Sequence, residues 1–165
     1  MVEIKQQQDF KTWQSVVSDL QLEPHPENGF FCETFKQSNK DSFTGCVYLL
    51  PAGETTIQRT LKDTEEVVVF NEGLDFEILI INNKDHTLKI HKIGPSSKNY
   101  QIWIPANDTA IFRVIKQKDS KYDYSLFSCM CIPEFNWKNL IMPEGIEEKL
   151  NEQDLETLKN FRQLK

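Results

Sequence analysis

The sequence predicts an all-β domain with a helix at each end, and three observations lead to this prediction. First, the middle of the chain contains seven or eight short runs rich in valine, isoleucine, phenylalanine and tyrosine, separated by turns with Gly, Pro, Asn, Asp or Lys. Second, no helical pattern interrupts these runs, so the strands should pair antiparallel, in a sandwich or a barrel, rather than as βαβ units. Third, helical periodicity is confined to the two ends of the chain.

The size and composition fit a single globular domain over residues 1–165. The hydrophobic fraction of 39% is enough to bury a core. The formal net charge of −6 provides no basic surface for a nucleic-acid backbone. No apolar run reaches the roughly 18 residues that span a bilayer. We therefore predict neither nucleic acid nor a membrane as a partner.

The first residues lack the basic and apolar regions of a signal peptide, which predicts a cytoplasmic protein with reduced cysteines. Cys129 and Cys131 are separated by one residue, so on a strand both side chains would point to one face. Two such thiols without a second pair make a poor zinc site. We expect the cysteines to be small core residues.

The two end helices are predicted from apolar residues at three- and four-residue spacing. The first pattern spans residues 9–20 and stops before Pro24. The second spans residues 144–163, with a possible break at Asn151 or Gln153. Its apolar stripe should pack on the same domain or on a partner subunit. The strands occupy the part between the helices, over about residues 28–140.

Four stretches in the right order resemble the cupin-5 family, a branch of the cupin superfamily long described as a domain of unknown function. The family hallmark is a Pro-His-Pro-Glu-Gly-Gly run after a helix, and "LEPHPENGFFCETFKQS" at residues 22–38 is similar to it. The other stretches are "YLLPAGETT", "YQIWIPAND" and "CIPEFNWKNL". The resemblance covers about residues 10–150. It implies a cupin-type double-stranded β-helix, which is a jelly-roll barrel, and a homodimer.

The sequence departs from the metal-binding pattern of cupins. Such a site needs two histidines and a glutamate from the first motif and a third histidine from the second. In residues 53–73 the glutamate is kept as Glu66, whereas Gln58 and Arg59 stand near the expected histidines. Residues 105–112, the second motif, contain no histidine. We therefore predict a divergent member that lacks the metal histidines and holds no metal and no cofactor.

Candidate site residues come first from the strand after the hallmark run. Strict alternation on "FFCETF" would place Phe31, Glu33 and Phe35 on one face, toward the inside of the barrel. Glu33 is a candidate catalytic proton carrier, or else it faces solvent or pairs with Arg59 or Lys36. Phe35 is a candidate ligand contact.

Five polar residues complete the predicted site. His25, between two prolines, could act as a general base, or it could hydrogen-bond a turn carbonyl and fix the start of the first strand. Tyr48 could return a proton from its phenol. Arg59, Glu66 and Gln101 are expected to meet from neighbouring strands as ligand-binding groups, with Arg59 holding a carboxylate or phosphate.

Two functions are compatible with this pattern. The first is a cupin that binds a small anionic or sugar-like molecule, and the resemblance to metal-free cupin epimerases implies isomerase or epimerase chemistry by side chains alone. The second is a catalytically decayed cupin that acts as a binding or protein-interaction module. A working pocket should bring Glu33, Arg59, Glu66 and Gln101 around open volume, whereas a decayed pocket should be closed or apolar. Whether the protein is an enzyme stays open at this point.

Overall fold

The computed structural model describes residues 11–37 and 42–163. Helix α1 covers Trp13–Asp19, helix α2 covers Glu152–Arg162, and two 3₁₀ turns cover Trp137–Asn139 and Glu147–Lys149. The strands in chain order are β1 (Glu23–Pro24), β2 (Phe30–Gln37), β3 (Phe43–Pro51), β4 (Arg59–Leu61), β5 (Glu65–Gly73), β6 (Phe76–Ile81), β7 (Leu88–Ile93), β8 (Gln101–Ile104), β9 (Thr109–Arg113), β10 (Tyr124–Ile132) and β11 (Leu140–Ile141).

These strands form two sheets that face each other as a sandwich. One sheet has six strands in the order β1-β2-β3-β10-β5-β8, and the other has five in the order β11-β4-β9-β6-β7. Every strand pair in both sheets is antiparallel. The prediction of a mostly β, antiparallel fold with two helices is therefore confirmed.

The core between the sheets forms because apolar residues alternate along the inner strands. Phe76 and Ile78 on β6 are fully buried, and Phe112 and Phe127 are almost fully buried. The rings of Phe76, Phe112 and Phe127 stack with centroids 4.7 to 6.4 Å apart. Burial of each such side chain stabilises the fold by roughly 1.5–3 kcal/mol. This packing fills one part of the sandwich and leaves a cavity at the end near β2 and β4.

Helix α1 covers part of the outer face of the six-stranded sheet. It begins at Thr12, whose side chain accepts a hydrogen bond from the backbone N–H of Ser15. Val16 packs on Leu49 and Tyr124, which are both fully buried. Of the predicted span 9–20, residues 9 and 10 lie outside the described residues.

Helix α2 covers the outer face of the five-stranded sheet of the same chain. It begins after Asn151, whose side chain accepts a hydrogen bond from the backbone N–H of Asp154. Leu158 and Phe161 pack there on apolar residues of the sheet, including Ile111. The tail is thus a 3₁₀ turn followed by a helix, and its stripe packs on its own domain. No helix in the described part of the chain is long and apolar enough to cross a membrane.

Candidate functional site

The cavity between the sheets has a volume of about 70 Å³, counted as space open to the centre of a water molecule. About 10–15 Å³ of such space holds one water, so the cavity suits a small ligand. Its lining combines aromatic rings and thiols with a few charged groups. The charged or titratable lining residues, apart from Tyr48 and the cysteines, are His25, Glu27, Glu33, Arg59 and Glu66.

Arg59 is the centre of a buried charged cluster. Only 3% of the residue is exposed. Its Nε lies 3.4 Å from Oε2 of Glu27, and its Nη2 donates a hydrogen bond to Oε2 of Glu66. Its Cζ lies 5.2 Å from the ring centroid of Phe112. Nη1 is buried and has no hydrogen-bond partner in the described structure. Two carboxylates therefore oppose one guanidinium, which retains one unused donor group.

Three separate elements bring this cluster together. Arg59 belongs to β4 of the five-stranded sheet, and Glu66 belongs to β5 of the six-stranded sheet, so their ion pair connects the two sheets. Glu27 comes from the loop between β1 and β2. The backbone carbonyl of Glu27 accepts a hydrogen bond of 2.8 Å from the N–H of Ile57, which fixes this loop against the segment before β4.

The cluster shifts the pKa values of its members. Burial raises the pKa of Glu27, the charge of Arg59 lowers it and the charge of Glu66 raises it, with a net value of about 7. For Arg59, burial alone would lower the pKa, but the charges of Glu66 and Glu27 outweigh burial and hold the pKa above its ordinary value. Arg59 is therefore always charged, while Glu27 can gain or lose a proton near neutral pH.

The loop that carries His25 and Glu27 is held by a tight turn. Asn28 and Gly29 have φ values of +90° and +80°, a region that glycine enters without steric cost and that asparagine tolerates better than most residues. The backbone N–H of His25 donates to the carbonyl of Gly29 at 2.9 Å. A β-carbon at Gly29 would lie 2.7 Å from the carbonyl oxygen of Leu49, so glycine is also required by the close approach of β3.

His25 lines the cavity as a neutral imidazole. Its Nδ1 accepts a hydrogen bond of 3.2 Å from the backbone N–H of Glu27, which leaves the ring proton on Nε2. Burial and then the charge of Arg59 lower its pKa to about 4. Nε2 is thus a hydrogen-bond donor at neutral pH. A general base, which was one of the two roles predicted from the sequence, would instead need a nitrogen that can accept a proton. The interaction with the turn is the other predicted role, although the partner is an N–H and not a carbonyl.

Tyr48 lines the cavity, but its hydroxyl is already used. The hydroxyl donates a hydrogen bond to the backbone carbonyl of Asn28. Burial and then the charge of Glu27 raise the pKa of Tyr48 well above its usual range. The phenol therefore fastens the loop to β3, and the predicted role in returning a proton has no support from this geometry.

A β-bulge in β2 changes which side chains reach the cavity. Phe31 and Glu33 line it, but the pairing with β3 shifts by one residue between Glu33 and Phe35, which leaves Thr34 as the extra residue. Phe35 consequently lies on the outer face, where its ring packs over Gly45 and is 42% exposed. The prediction that Phe35 shares a face with Phe31 and Glu33, and contacts a ligand there, is wrong.

Gln101 also lies outside the cavity. On β8 the side chains of Ile102 and Ile104 pack toward the core, so the alternating residues Gln101 and Trp103 point outward and are exposed. The structure therefore brings Glu33, Arg59 and Glu66 to the cavity as predicted but not Gln101. The prediction that these three residues and Gln101 all surround the same open volume is therefore wrong for Gln101.

The sequence did not single out Glu27, which lines the cavity, or Trp137, which lies beside it. Glu27 belongs to the Pro-His-Pro-Glu run, but only its burial beside Arg59 reveals its importance. Trp137 is 50% exposed, and its ring lies 5.6 Å from His25, 6.2 Å from Phe31 and 4.8 Å from Phe135, which all line the cavity. It stands within the quoted stretch "CIPEFNWKNL", where nothing distinguishes it from a core aromatic residue.

The cysteines are free thiols, and three of them line the cavity. Cys46 on β3 and Cys129 on β10 are directly opposite each other, and Cys131 shares the inner face with Cys129. A hydrogen bond with Cys46, and then burial, raise the pKa of Cys129. Within residues 11–37 and 42–163, no group of three or more His, Cys, Asp or Glu residues is arranged to hold a metal ion.

One known family model matches most of the chain. The family model described as "Cupin superfamily (DUF985)" matches residues 14–142. None of the curated proteins matches the chain.

Solved structures with the same fold include two proteins of similar length. A hypothetical protein from Leishmania major is 20% identical with a TM-score of 0.74, and 91% of this chain and 98% of that chain are covered. Protein SO0799 from Shewanella oneidensis is 18% identical with a TM-score of 0.76, over 94% and 99% of the two chains. The capsular polysaccharide assembling protein CapF from Staphylococcus aureus is 14% identical with a TM-score of 0.59, over 74% of this chain and 34% of that one. At these identities the likeness concerns the fold alone.

Proposed function

Because the chain belongs to the Cupin_5 family of the cupin superfamily (DUF985), we propose that the cavity between its sheets binds a small polar, sugar-like molecule. The observation that carries this proposal is the buried cluster of Glu27, Arg59 and Glu66. Buried charges are costly, and clusters of them with shifted pKa values occur preferentially at functional sites. The same cluster offers a buried donor, Nη1 of Arg59, that no protein atom of the described structure accepts, so this donor is available to a ligand.

We further propose that the protein is a metal-independent isomerase or epimerase in which Glu27 carries the proton. Such a reaction removes a proton from carbon and returns it, which requires a group that exists in both protonation states at working pH. Glu27, with a pKa of about 7, meets this requirement. Glu33, which lines the cavity but is exposed, is the second candidate to receive or supply a proton, and this role stays a prediction.

The alternative is a non-enzymatic binding or interaction module. It is supported by the way in which His25 and Tyr48 use their polar atoms on the loop, because both were candidates for acid–base catalysis. Under this alternative the cavity still binds a small molecule, but no bond changes. In either case we propose that the two sheets close into a jelly-roll barrel. We also propose in either case that the cavity holds no metal, because the sequence lacks the metal histidines.

A binding screen followed by an exchange assay separates the two functions. Thermal unfolding in the presence of sugars, sugar phosphates, small carboxylates and divalent metals should identify a stabilising compound, since a ligand of the native state raises the melting temperature. That compound is then incubated with the protein in D₂O. Incorporation of deuterium at carbon, lost in Glu27→Gln, supports the isomerase. Binding without exchange supports the module, and stabilisation by metals alone contradicts the metal-free interpretation.

We also propose that the protein forms a homodimer through the outer face of the six-stranded sheet. Phe35 and Trp103 lie on this face and are 42% and 55% exposed. Light scattering at micromolar concentration should give the mass of a dimer, and Trp103→Glu should give a monomer. A monomeric wild-type protein contradicts this proposal.

The cytoplasmic location stays a prediction that cell fractionation would test.

A further inference from the structure

The cavity lining contains more acidic than basic groups. Among the described residues that line it, Glu27, Glu33 and Glu66 carry carboxyl groups, whereas Arg59 is the one lysine or arginine. Arg59 is already paired with Glu66 and Glu27. An incoming carboxylate or phosphate would give up its hydration to reach a guanidinium whose charge is already opposed. The electrostatics of the cavity therefore disfavour an anion.

The hydrogen-bonding groups that remain suit an uncharged oxygen. Nη1 of Arg59 has no acceptor in the described structure, and His25 keeps its proton on Nε2 because Nδ1 is occupied. Both groups donate, and a carbonyl or hydroxyl oxygen accepts without bringing a charge into the cavity. A hydroxyl of the same ligand could donate to a carboxylate oxygen of Glu27 or Glu33. Neutral hydroxy-carbonyl and hydroxy-amide compounds offer both functions in a small volume.

We propose that the cavity selects an uncharged polar molecule with a carbonyl and a hydroxyl group, and discriminates against carboxylates and phosphates of the same shape. This inference rests on the proposed function, because it names the class of ligand for the same cavity. Of the anionic or sugar-like molecule expected from the sequence, it keeps the uncharged kind and drops the anionic one, for which Arg59 was taken as an open cation. The ion pairs with Glu66 and Glu27 are the reason for this change.

Lactamide and lactate are matched probes for this inference. They have the same number of non-hydrogen atoms and nearly the same shape, and they differ in charge. Each is titrated into ¹⁵N-labelled protein at pH 7 and constant ionic strength, and the Nε–H resonance of Arg59 reports binding. We expect lactamide to bind at least about tenfold more tightly than lactate, a difference that corresponds to about 1.4 kcal/mol. Tighter binding of lactate would overturn the inference and leave the proposed function standing.

A variant that removes one carboxylate beside Arg59 should bind an anion more tightly than the wild type does. Glu66→Gln keeps the shape of the side chain but removes one charge that opposes Arg59, so it should bind lactate at least about tenfold more tightly than the wild type does. The matched control is Glu65→Gln, the preceding residue on β5, which is exposed and whose Oε2 accepts a hydrogen bond of 3.3 Å from Trp103 on the outer face. This control should leave both affinities unchanged.

The outcomes separate the two proposals. Unchanged lactate affinity in a folded Glu66→Gln variant overturns the inference, because the opposing charge then has no effect on anions. If that variant does not fold, the comparison of lactamide with lactate in the wild type decides alone. If neither compound binds to the wild type or to the variant, the inference fails, whereas the proposed function is decided separately by the thermal screen with sugars and sugar phosphates.

Discussion

Replacing Glu27 with glutamine should change how stability depends on pH. The pKa of Glu27 rises on folding from 4.5 to about 7. Between these values the folded protein holds a proton on Glu27 that the unfolded chain has lost. Raising the pH therefore favours unfolding, and the stability that Glu27 contributes is fully present below pH 4.5 and lost as the pH rises through about 7. Glutamine keeps the shape and removes this dependence.

The magnitude follows from the size of the pKa change. At about 1.36 kcal/mol per pKa unit, the whole change corresponds to roughly 3 kcal/mol, of which about 2.5 kcal/mol is lost between pH 5 and pH 8. The free energy of unfolding of Glu27→Gln, relative to wild type, should thus increase by about 2.5 kcal/mol over this range. For a domain of this size the relative melting temperature should rise by about 5–10 °C.

The comparison with wild type is essential, because His25 has the opposite effect. Folding lowers its pKa from 6.5 to about 4, so its contribution is fully present above pH 6.5 and lost as the pH falls through 4. The two effects largely cancel in the wild type between pH 4.5 and pH 6.5. In Glu27→Gln only the effect of His25 remains, and stability should rise with pH over that interval.

The assay is urea unfolding at several pH values from 5 to 8, followed by tryptophan fluorescence. Glu156→Gln, on the exposed side of α2, is the control for loss of a carboxylate. A relative stability of Glu27→Gln that stays constant within about 0.5 kcal/mol across the range would refute the burial of an ionisable Glu27 beside Arg59.

Further predictions concern packing and the thiols. Gly29→Ala should destabilise the protein by about 1–3 kcal/mol more than Gly145→Ala, because both have positive φ but only Gly29 has a carbonyl oxygen 2.7 Å from the new β-carbon; equal losses in urea unfolding would contradict this. Leu158→Ala should lower the free energy of unfolding by about 2–5 kcal/mol if α2 is docked on the sheet, whereas Lys159→Ala should lower it by less than about 0.5 kcal/mol. Similarly small losses for both variants would show that α2 is not docked. Burial and then the charge of Glu66 raise the pKa of Cys131, so iodoacetamide at pH 8 should modify it only in urea, and rapid labelling of the native protein, measured by mass spectrometry, would disprove this.

Much of the fold could be predicted because its causes are local. Period-two runs of β-branched and aromatic residues predict strands whatever they pack against, and both helices follow from three- and four-residue apolar spacing. The start of α2 illustrates this, since Asn151 is both a predicted break and the observed N-cap. The order of strands within the two sheets is a long-range property that no local pattern contains.

The site was harder to predict because its geometry depends on exceptions to local rules. Strict alternation on β2 assigned Phe35 to the inside, and one bulged residue reversed this. The pairing of Arg59 with Glu27 depends on a loop that folds back from β1, which is invisible in the spacing of the sequence. The polar candidates His25 and Tyr48 were correctly placed near the cavity, but their partners are backbone groups of the same loop.

The bulge at Thr34 reverses the alternation of side chains along β2. Before the bulge, the odd-numbered residues Phe31 and Glu33 reach the cavity. After it, the odd-numbered Phe35 lies on the outer face. An insertion or deletion of one residue between Phe31 and Thr34 would therefore change which side chains β2 presents to the cavity wall. Which side chains of β2 line the cavity therefore depends on the number of residues in the part of the strand before the bulge.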